Sequence, residues 1–517
     1  MVPYFNTSGV CNPGEHYMLP PERRLGRMLA LIEQGRYFTL HAGHQTGKTT
    51  SARWLVRHFN TGDRYRAVWV DLQMAREQPD PASAFRTMLN ELDMAIRRSL
   101  PDIGIPAERD RFLDDPPSAL RRYLGDVAAR CPYPLIVLFD EVDGLVGDAM
   151  VSFLTQLRAG YMARSESPFP RSVVLVGRRV VRDYILTSDQ RNAVAWLGTT
   201  SPFNISAEAT TIGPFTEAEV AELCAQHTDK TGQAFLPEAT ARIYALSQGH
   251  PWLVNALAAQ IVEQDVCDRS VAVTAAHVDA AKETIILERR SHIDSLIHKL
   301  REPRVRRILD PMLVGGRIVS DEIDDDLAYT RGLGIVRVSG GHVEIANPIY
   351  REVIPRVLSY GQQVQIAAEP SAFVRADGAL DVPKLMSAFQ TFWRKDGHLA
   401  AGGFTYTEAG PHLMLMAFLQ RVVNGGGQVE REYGLGRGAL DLLVSFHGER
   451  HAIEVKLRRS TETEREALAQ VASYLDVLGL SEGYLVMFDL RSKRSWKEKL
   501  FVKERKVHKK RVHLVGC

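Results

Sequence analysis

A chain of 517 residues is too long for one hydrophobic core, and ordinary domain sizes call for about three units. With 45% apolar and 24% charged residues it reads as a globular protein, and a net charge of +2 says little about partners until its distribution is considered. No run approaches the roughly eighteen apolar residues of a membrane span, MVPYFNTSGV has neither the basic nor the apolar part of a signal peptide, and Cys11, Cys131, Cys224, Cys267 and Cys517 form no CxxC pair. The expectation is a cytoplasmic protein with reduced thiols and no membrane partner.

Short apolar runs at YFTLHA (37–42), AVWVDLQ (67–73), PLIVLFDE (134–141) and SVVLVG (172–177) alternate with amphipathic helical stretches. Continuous runs of this kind suit strands buried on both faces, so residues 1–213 are predicted to form a parallel α/β sheet. Residues 214–290 turn helical, with Thr216 as an N-cap and Glu219 three residues on. Between 291 and 360, helix VRRILDPML precedes GIVRV and HVEIA, two strands around the turn Ser339-Gly340-Gly341, which suggests a winged helix. Residues 361–385 read as a linker. A second α/β unit follows over 386–517, with helix HLMLMAFLQRVV, strands ALDLLVSF and HAIEVKL, helix EREALAQVASYLDVL and strand GYLVMFD. From Arg491 to Arg511 there are eleven Lys or Arg against two Glu, a basic tail that suits either phosphate contacts or a solvated terminal strand and helix.

Strand YFTLHA runs into Ala42-Gly43-His44-Gln45-Thr46-Gly47-Lys48-Thr49-Thr50, the pattern GxxxxGK[ST] with Ala42 in the first glycine position. Small residues let the backbone wrap a phosphate, and a helix starting there turns its positive end toward the anion. Lys48 is placed to reach the β- and γ-phosphates of ATP, and the Thr49 hydroxyl to hold Mg²⁺. About ninety residues on, LIVLFDE ends in Asp140-Glu141, an acid to hold Mg²⁺ through water and a neighbour to activate the attacking water. A glycine-containing turn that happens to carry a lysine is the bland alternative; the flanking strand, helix and second motif argue against it.

These residues resemble the AAA-like, archaeal-type ATPases that border the signal-transducing regulatory NTPases, over roughly residues 1–360. The resemblance implies that HYMLPPERRL (16–25) packs the adenine and that Arg178 or Arg179 in VGRRVVRDY contacts the γ-phosphate. It further implies that Gly249 and Pro251 in GHPWLVNALA form the GxP element of a helical lid, and that ANPIYREVI ends the winged helix. Arg158 and Arg164 are arginine-finger candidates only by following the acidic motif on a helix. His250 and His412 have no ligand spacing and read as packing or surface groups.

In the C-terminal unit Asp441 lies in ALDLLVSF, and the turn His447-Gly448-Glu449-Arg450 leads to HAIEVKL with Glu454 and Lys456 on one strand face. Two carboxylates and an ammonium gathered on one face suit a divalent cation, Mg²⁺ with Mn²⁺ as an alternative, held by Asp441 and Glu454, while Lys456 positions the attacking water. A solvated, salt-bridged strand explains E-x-K more cheaply. The arrangement resembles the PD-(D/E)XK nuclease superfamily over about 385–517. Gln470 and Tyr474 match its QxxxY element, and Glu408 is the candidate third carboxylate, with Glu430 and Glu432 as rivals.

The resemblances together imply an α/β multidomain protein: a P-loop parallel sheet with helical lid and winged helix, then a PD-(D/E)XK α/β/α nuclease domain. The function they imply is an ATPase governing cleavage of DNA, with RNA, a homo-oligomer and a role in defence against foreign DNA left open. A regulatory switch or scaffold that binds without cutting, and a repair or mobility ATPase that needs a partner, are the alternatives.

Overall fold

The structure is a computed structural model that describes residues 2–103, 109–177, 206–288, 290–312, 318–321, 324–358, 370–397, 409–423, 427–435, 438–458, 461–489, 491 and 494–517. It divides into two compact units, one of residues 1–292 with 322–336, the other of 293–321 with 337–517.

The first unit is built on five parallel strands, β1 (Tyr37–His41), β2 (Arg66–Asp71), β3 (Leu135–Asp140), β4 (Ser172–Gly177) and β5 (Ser206–Thr211), in the order β2-β3-β4-β1-β5. The four apolar runs became β1 to β4, whereas the edge strand β5, with the polar sequence SAEATT, gave no apolar signal. Alternate residues feed two cores. Tyr37, Val137, Phe139, Val173 and Leu175 pack under α3 (Pro81–Ser99), α4 (Pro116–Arg130) and α5 (Gly147–Ala163). Phe38, Leu40, Ile136, Leu138, Val174 and Val176 pack under α1 (Gly26–Glu33) and α2 (Lys48–Thr61). Burial on both faces is why the runs are continuous rather than alternating.

A helical group follows in the same unit: α6 (Glu217–Thr231), α7 (Pro237–Ser247), α8 (Pro251–Gln260) and α9 (Ala275–Leu287). Thr216 and Glu219 form the reciprocal capping box expected of them, with Thr216 N–H donating to Glu219 at 2.8 Å. Helix α10 (Ser291–Lys299) begins where the unit gives way to the second, and α12 (Asp325–Gly332) returns to it after α11 (Pro303–Met312). The strands β6 (Val336–Ser339) and β7 (His342–Ile345) make the expected hairpin, with Gly340 and Gly341 at φ 55° and 80°.

In the second unit, α13 (Pro348–Leu358) is followed by α14 (Val382–Phe392), α15 (Ala409–Val423), α16 (Thr461–Leu478) and the short α17 (Trp496–Lys499). Part of the stretch read as a linker, 361–369, lies outside the described residues, and α14 starts within the remainder because Asp381 caps it. The six-stranded sheet has the order β12-β13-β11-β10-β9-β8, with β8 (Gly427–Leu435), β9 (Gly438–Phe446), β10 (Glu449–Leu457), β11 (Glu482–Phe488), β12 (Phe501–Val507) and β13 (Lys510–Gly516). Strands β8, β9 and β10 form an antiparallel meander, and β11 joins parallel to β10 through α16. The turn between β9 and β10 is tighter than the four residues expected: His447 and Gly448 at φ 45° and 88° suffice, and Glu449 already pairs with Phe446. Two left-handed residues match the twist of the flanking strands. One face of this sheet packs under α16 through Leu443, Ala452, Leu485, Met487 and Leu514. Phe488, on the other, meets Phe389 and Trp393 at ring distances of 6.0 and 4.8 Å.

Candidate functional site

The loop between β1 and α2 has the shape its composition calls for. Ala42 keeps a negative φ, which is why a methyl is tolerated in the first glycine position, while Gln45 and Gly47 are left-handed at 56° and 91°. Gly47 is the N-cap of α2 and brings no side-chain cap, so the first-turn amides are left for an anion. Lys48 is buried and its Nζ donates to the carbonyls of Ala42 and Gly43 at 2.9 and 2.7 Å, folded over the mouth of the loop. Thr46 Oγ1 donates to Gly43 O at 2.9 Å. Because β4 lies between β1 and β3, the start of α2 and the end of β3 face each other across one strand. Thr49 Oγ1 donates to Asp140 Oδ2 at 2.8 Å, and Trp69 Nε1 donates to the same oxygen at 3.1 Å. Burial raises the Asp140 carboxyl above its ordinary range, partly offset by Thr49, the Glu141 N–H and Trp69. Glu141, at φ 55°, turns the chain away from the strand at this point. An uncapped helix start, a buried lysine and a Thr–Asp pair are a donor set that fits a nucleoside triphosphate with Mg²⁺.

Beside the loop a pocket is lined by Tyr17, Met18, Leu19, Thr46, Gly47, Thr50, Ile212, Phe215, Pro251 and Asn255, so the 16–25 segment and Pro251 both lie beside the loop. The N-terminal segment is sewn to α6, α8 and α2 by bonds that no local pattern announces. Met18 exchanges both backbone groups with the Gln226 side chain at 3.1 and 2.8 Å, and Tyr17 Oη lies 3.1 Å from His227 Nδ1. Trp252 Nε1 donates to Thr7 O at 2.8 Å, and Cys11 N–H to Thr50 Oγ1 at 3.2 Å. Gly249, at φ 73°, is required: a Cβ there would stand 1.9 Å from Phe215 O. His250 is half-buried and packs beside His292 at a ring distance of 4.7 Å.

The finger candidate Arg164 is a correction. Its guanidinium donates to Gly35 O at 2.8 Å and covers the Tyr161 ring at 3.9 Å, tying it to the start of β1, the end away from the loop. The structure places Arg158 on α5. Arg178 and Arg179 lie outside the described residues.

In the second unit the β9–β10 ladder runs from Glu449–Phe446 to Ile453–Leu442 and stops one step short of the Asp441–Glu454 pair. There the side chains replace ladder carbonyls: Val455 N–H donates to Asp441 Oδ2 at 2.8 Å, and Asp441 N–H to Glu454 Oε2 at 3.3 Å. Lys456 Nζ stands 2.7 Å from Glu454 Oε1 and 4.0 Å from Asp441 Oδ2. The Glu454 side chain is 1% exposed, which is not the geometry of a solvated strand face. Burial, then the charge of Asp441, holds its carboxyl above the usual range against the pull of Lys456. For Lys456 burial works downward, but the two carboxylates outweigh it and keep the ammonium protonated. On α16, Gln470 Nε2 donates to Tyr474 Oη at 2.7 Å, and the phenol is near enough to act on Lys456. Glu408 lies outside the described residues, and Glu430 and Glu432 are on β8. Among the described residues no three His, Cys, Asp or Glu side chains gather as a metal cluster; Asp441 and Glu454 are a pair. Nor is any described helix long and apolar enough to cross a membrane.

A family model described as AAA-like domain matches residues 16–354, and one described as Domain of unknown function (DUF8371) matches residues 387–492. No curated protein matches the chain. Among solved structures, a Walker-type ATPase of Pyrococcus abyssi is 14% identical, covering 68% of this chain and 99% of its own, with a TM-score of 0.47. Cdc6p of Pyrobaculum aerophilum is 13% identical over 69% of this chain and 97% of its own, with a TM-score of 0.37. The RuvB Holliday junction branch migration motor of Thermotoga maritima is 10% identical over 63% and 90%, with a TM-score of 0.32. With the family model spanning most of the first 354 residues, the chain belongs to the AAA-like family of P-loop ATPases.

Proposed function

We propose that this ATPase governs a divalent-metal-dependent DNA nuclease site in its C-terminal unit. The observation that carries the reading is the meeting of Asp441, Glu454 and Lys456 where the β9–β10 ladder opens, with Glu454 buried. Its setting supports it: the chain order α15-β8-β9-β10-α16-β11, with a three-strand antiparallel meander and a parallel fourth strand, is the order of the PD-(D/E)XK core that the sequence resembles. Asp441 and Glu454 would hold the cation, which supplies Lewis-acid polarisation of a phosphodiester when bound. Lys456 orients the attacking water and steadies charge on the phosphoryl oxygens. Gln470, through Tyr474, steadies the side of the site facing α16. In the first unit Lys48, with Gly43, Gln45, Thr46, Gly47 and Thr50 around it, would cradle the nucleotide phosphates, Thr49 and Asp140 would hold Mg²⁺, and Glu141 would activate water. DNA fits the basic edge of the second sheet. Lys503, Arg505, Lys506 and Lys509 are exposed, and among the described residues none of them pairs with a carboxylate.

The two-carboxylate inventory favours a second reading, a switch whose C-terminal unit binds nucleic acid without cutting. Incubating the protein with plasmid and linear DNA, Mg²⁺ or Mn²⁺, with and without ATP, separates them. Cleavage lost in Lys456→Ala and Asp441→Ala, altered in Lys48→Ala, with ATP binding kept in Lys456→Ala, is the expected result. Intact ATPase activity without cleavage under any condition would leave the switch.

A further inference from the structure

Gln45 sits in the middle of the nucleotide loop with φ 56°, a conformation that residues with a Cβ rarely adopt. Something must hold it. Its side-chain Oε1 lies 2.8 Å from Nδ1 of His292, in the first turn of α10. The His292 ring is buried and stacked on Trp252, with centroids 4.9 Å apart and planes at 22°. It also leans on His250 at 4.7 Å and lies parallel to His44 at 5.9 Å. Burial, then the neighbouring His250 and His44, holds the His292 imidazole well below its ordinary range, so the ring is neutral. A neutral ring facing an amide oxygen carries its proton on Nδ1 and donates. Trp252 is pinned in turn by its bond to Thr7 O, so the ring has a fixed wall. Two residues earlier in the loop, Gly43 is closed in by α12's exit: a Cβ there would stand 3.1 Å from Leu333 O. The loop is thus braced at both Gly43 and Gln45 by residues that lie hundreds of positions away in the chain.

We propose that His292 is a positioning residue of the ATPase: by donating to Gln45 it fixes the left-handed turn that aims the loop amides at the phosphates. It acts through Gln45 and touches no reacting atom. The division of labour predicts an effect on nucleotide affinity rather than on turnover. It also predicts that the effect depends on residue 45 having a Cβ, because glycine takes φ 56° unaided.

The test is a double-mutant cycle on the full chain, read by titration with a fluorescent N-methylanthraniloyl-ADP and by steady-state ATPase kinetics. In His292→Ala the Kd for the labelled ADP and the KM for ATP rise about ten-fold, the order set by the left-handed penalty, while kcat moves less than about two-fold. His292→Asn keeps an N–H near the Nδ1 position and recovers most of the affinity. In a Gln45→Gly background, whatever its own Kd, adding His292→Ala changes nothing further. An equal loss of affinity in that background would mean that His292 acts by packing alone and overturns the proposal. Unchanged Kd and KM in His292→Ala would overturn it as well. If His292→Ala fails to fold, His292→Phe keeps the stack on Trp252 without the donor, and the same outcomes are read on it.

Discussion

At the scale of single residues, the chain separates positions where chemistry is needed from positions where only a missing side chain will do. Gly249 is of the second kind, and Gly232 provides its control. Both have positive φ, 73° and 80°, but a Cβ at 232 meets nothing within 4 Å, whereas one at 249 strikes Phe215 O. Gly232→Ala is expected to cost the left-handed penalty of about 1 kcal/mol, and Gly249→Ala about 3 kcal/mol or more because the Gly249–Phe215 hydrogen bond must also yield. Chemical denaturation of the two variants checks the difference, and equal costs would refute it. The residues of the nucleotide loop were legible because a contiguous pattern carries them. The His292–Gln45 contact was not, since 247 positions separate the two and an isolated histidine has no spacing to read. His250 was expected to be a packing or surface group, and it packs against the His292 ring.

At the scale of elements, continuous apolar runs predicted β1 to β4 and β11, because burial on both faces leaves that signature, while β9 and β10 were legible as apolar strands interrupted by Asp441, Glu454 and Lys456. Strand β12, exposed along Val502–Lys506, and the polar β5 left no such trace. Pairing with a neighbour's backbone, not side-chain burial, makes them strands. The start of α6 shows how one side chain can serve two elements. Glu219 accepts from Thr216 N–H and pairs with Arg24 at 2.6 Å, joining α6 to the segment before α1. The bond to Thr216 and the charge of Arg24 outweigh partial burial and hold the Glu219 carboxyl below its ordinary range. Glu219→Ala should therefore destabilise more than Thr216→Ala, which loses a cap worth about 1 kcal/mol. Thermal unfolding of the pair measures the order, and the reverse order would remove Arg24 from the account.

At the scale of the whole molecule, the histidine rings packed around the nucleotide loop give the ATPase unit a dependence on acidity. Burial, then His44 and Lys48, lowers the His250 imidazole to about 4, and the His292 ring moves in the same direction. A lowered histidine means that the unfolded chain binds a proton that the folded one refuses. Stability is present above the ordinary value near 6.5 and is lost as pH falls from there toward 4. His250 alone should remove about 1 kcal/mol between pH 7.5 and 5.5. Urea unfolding followed by tryptophan fluorescence at the two values tests this, and equal stabilities would show that the rings are hydrated.

The two compact units alternate along the chain, 1–292, then 293–321, then 322–336, then 337–517. No single cut of the polypeptide between 292 and 336 releases the ATPase unit both entire and alone. A fragment ending at 292 keeps His292 but loses Leu333, the residue that closes over Gly43, and one ending at 336 carries 293–321 with it. The C-terminal unit is therefore no detachable cargo that recombination could exchange by joining ends. A working graft onto another ATPase needs two crossovers, and a protease that nicks the intervening stretch damages both units at one stroke.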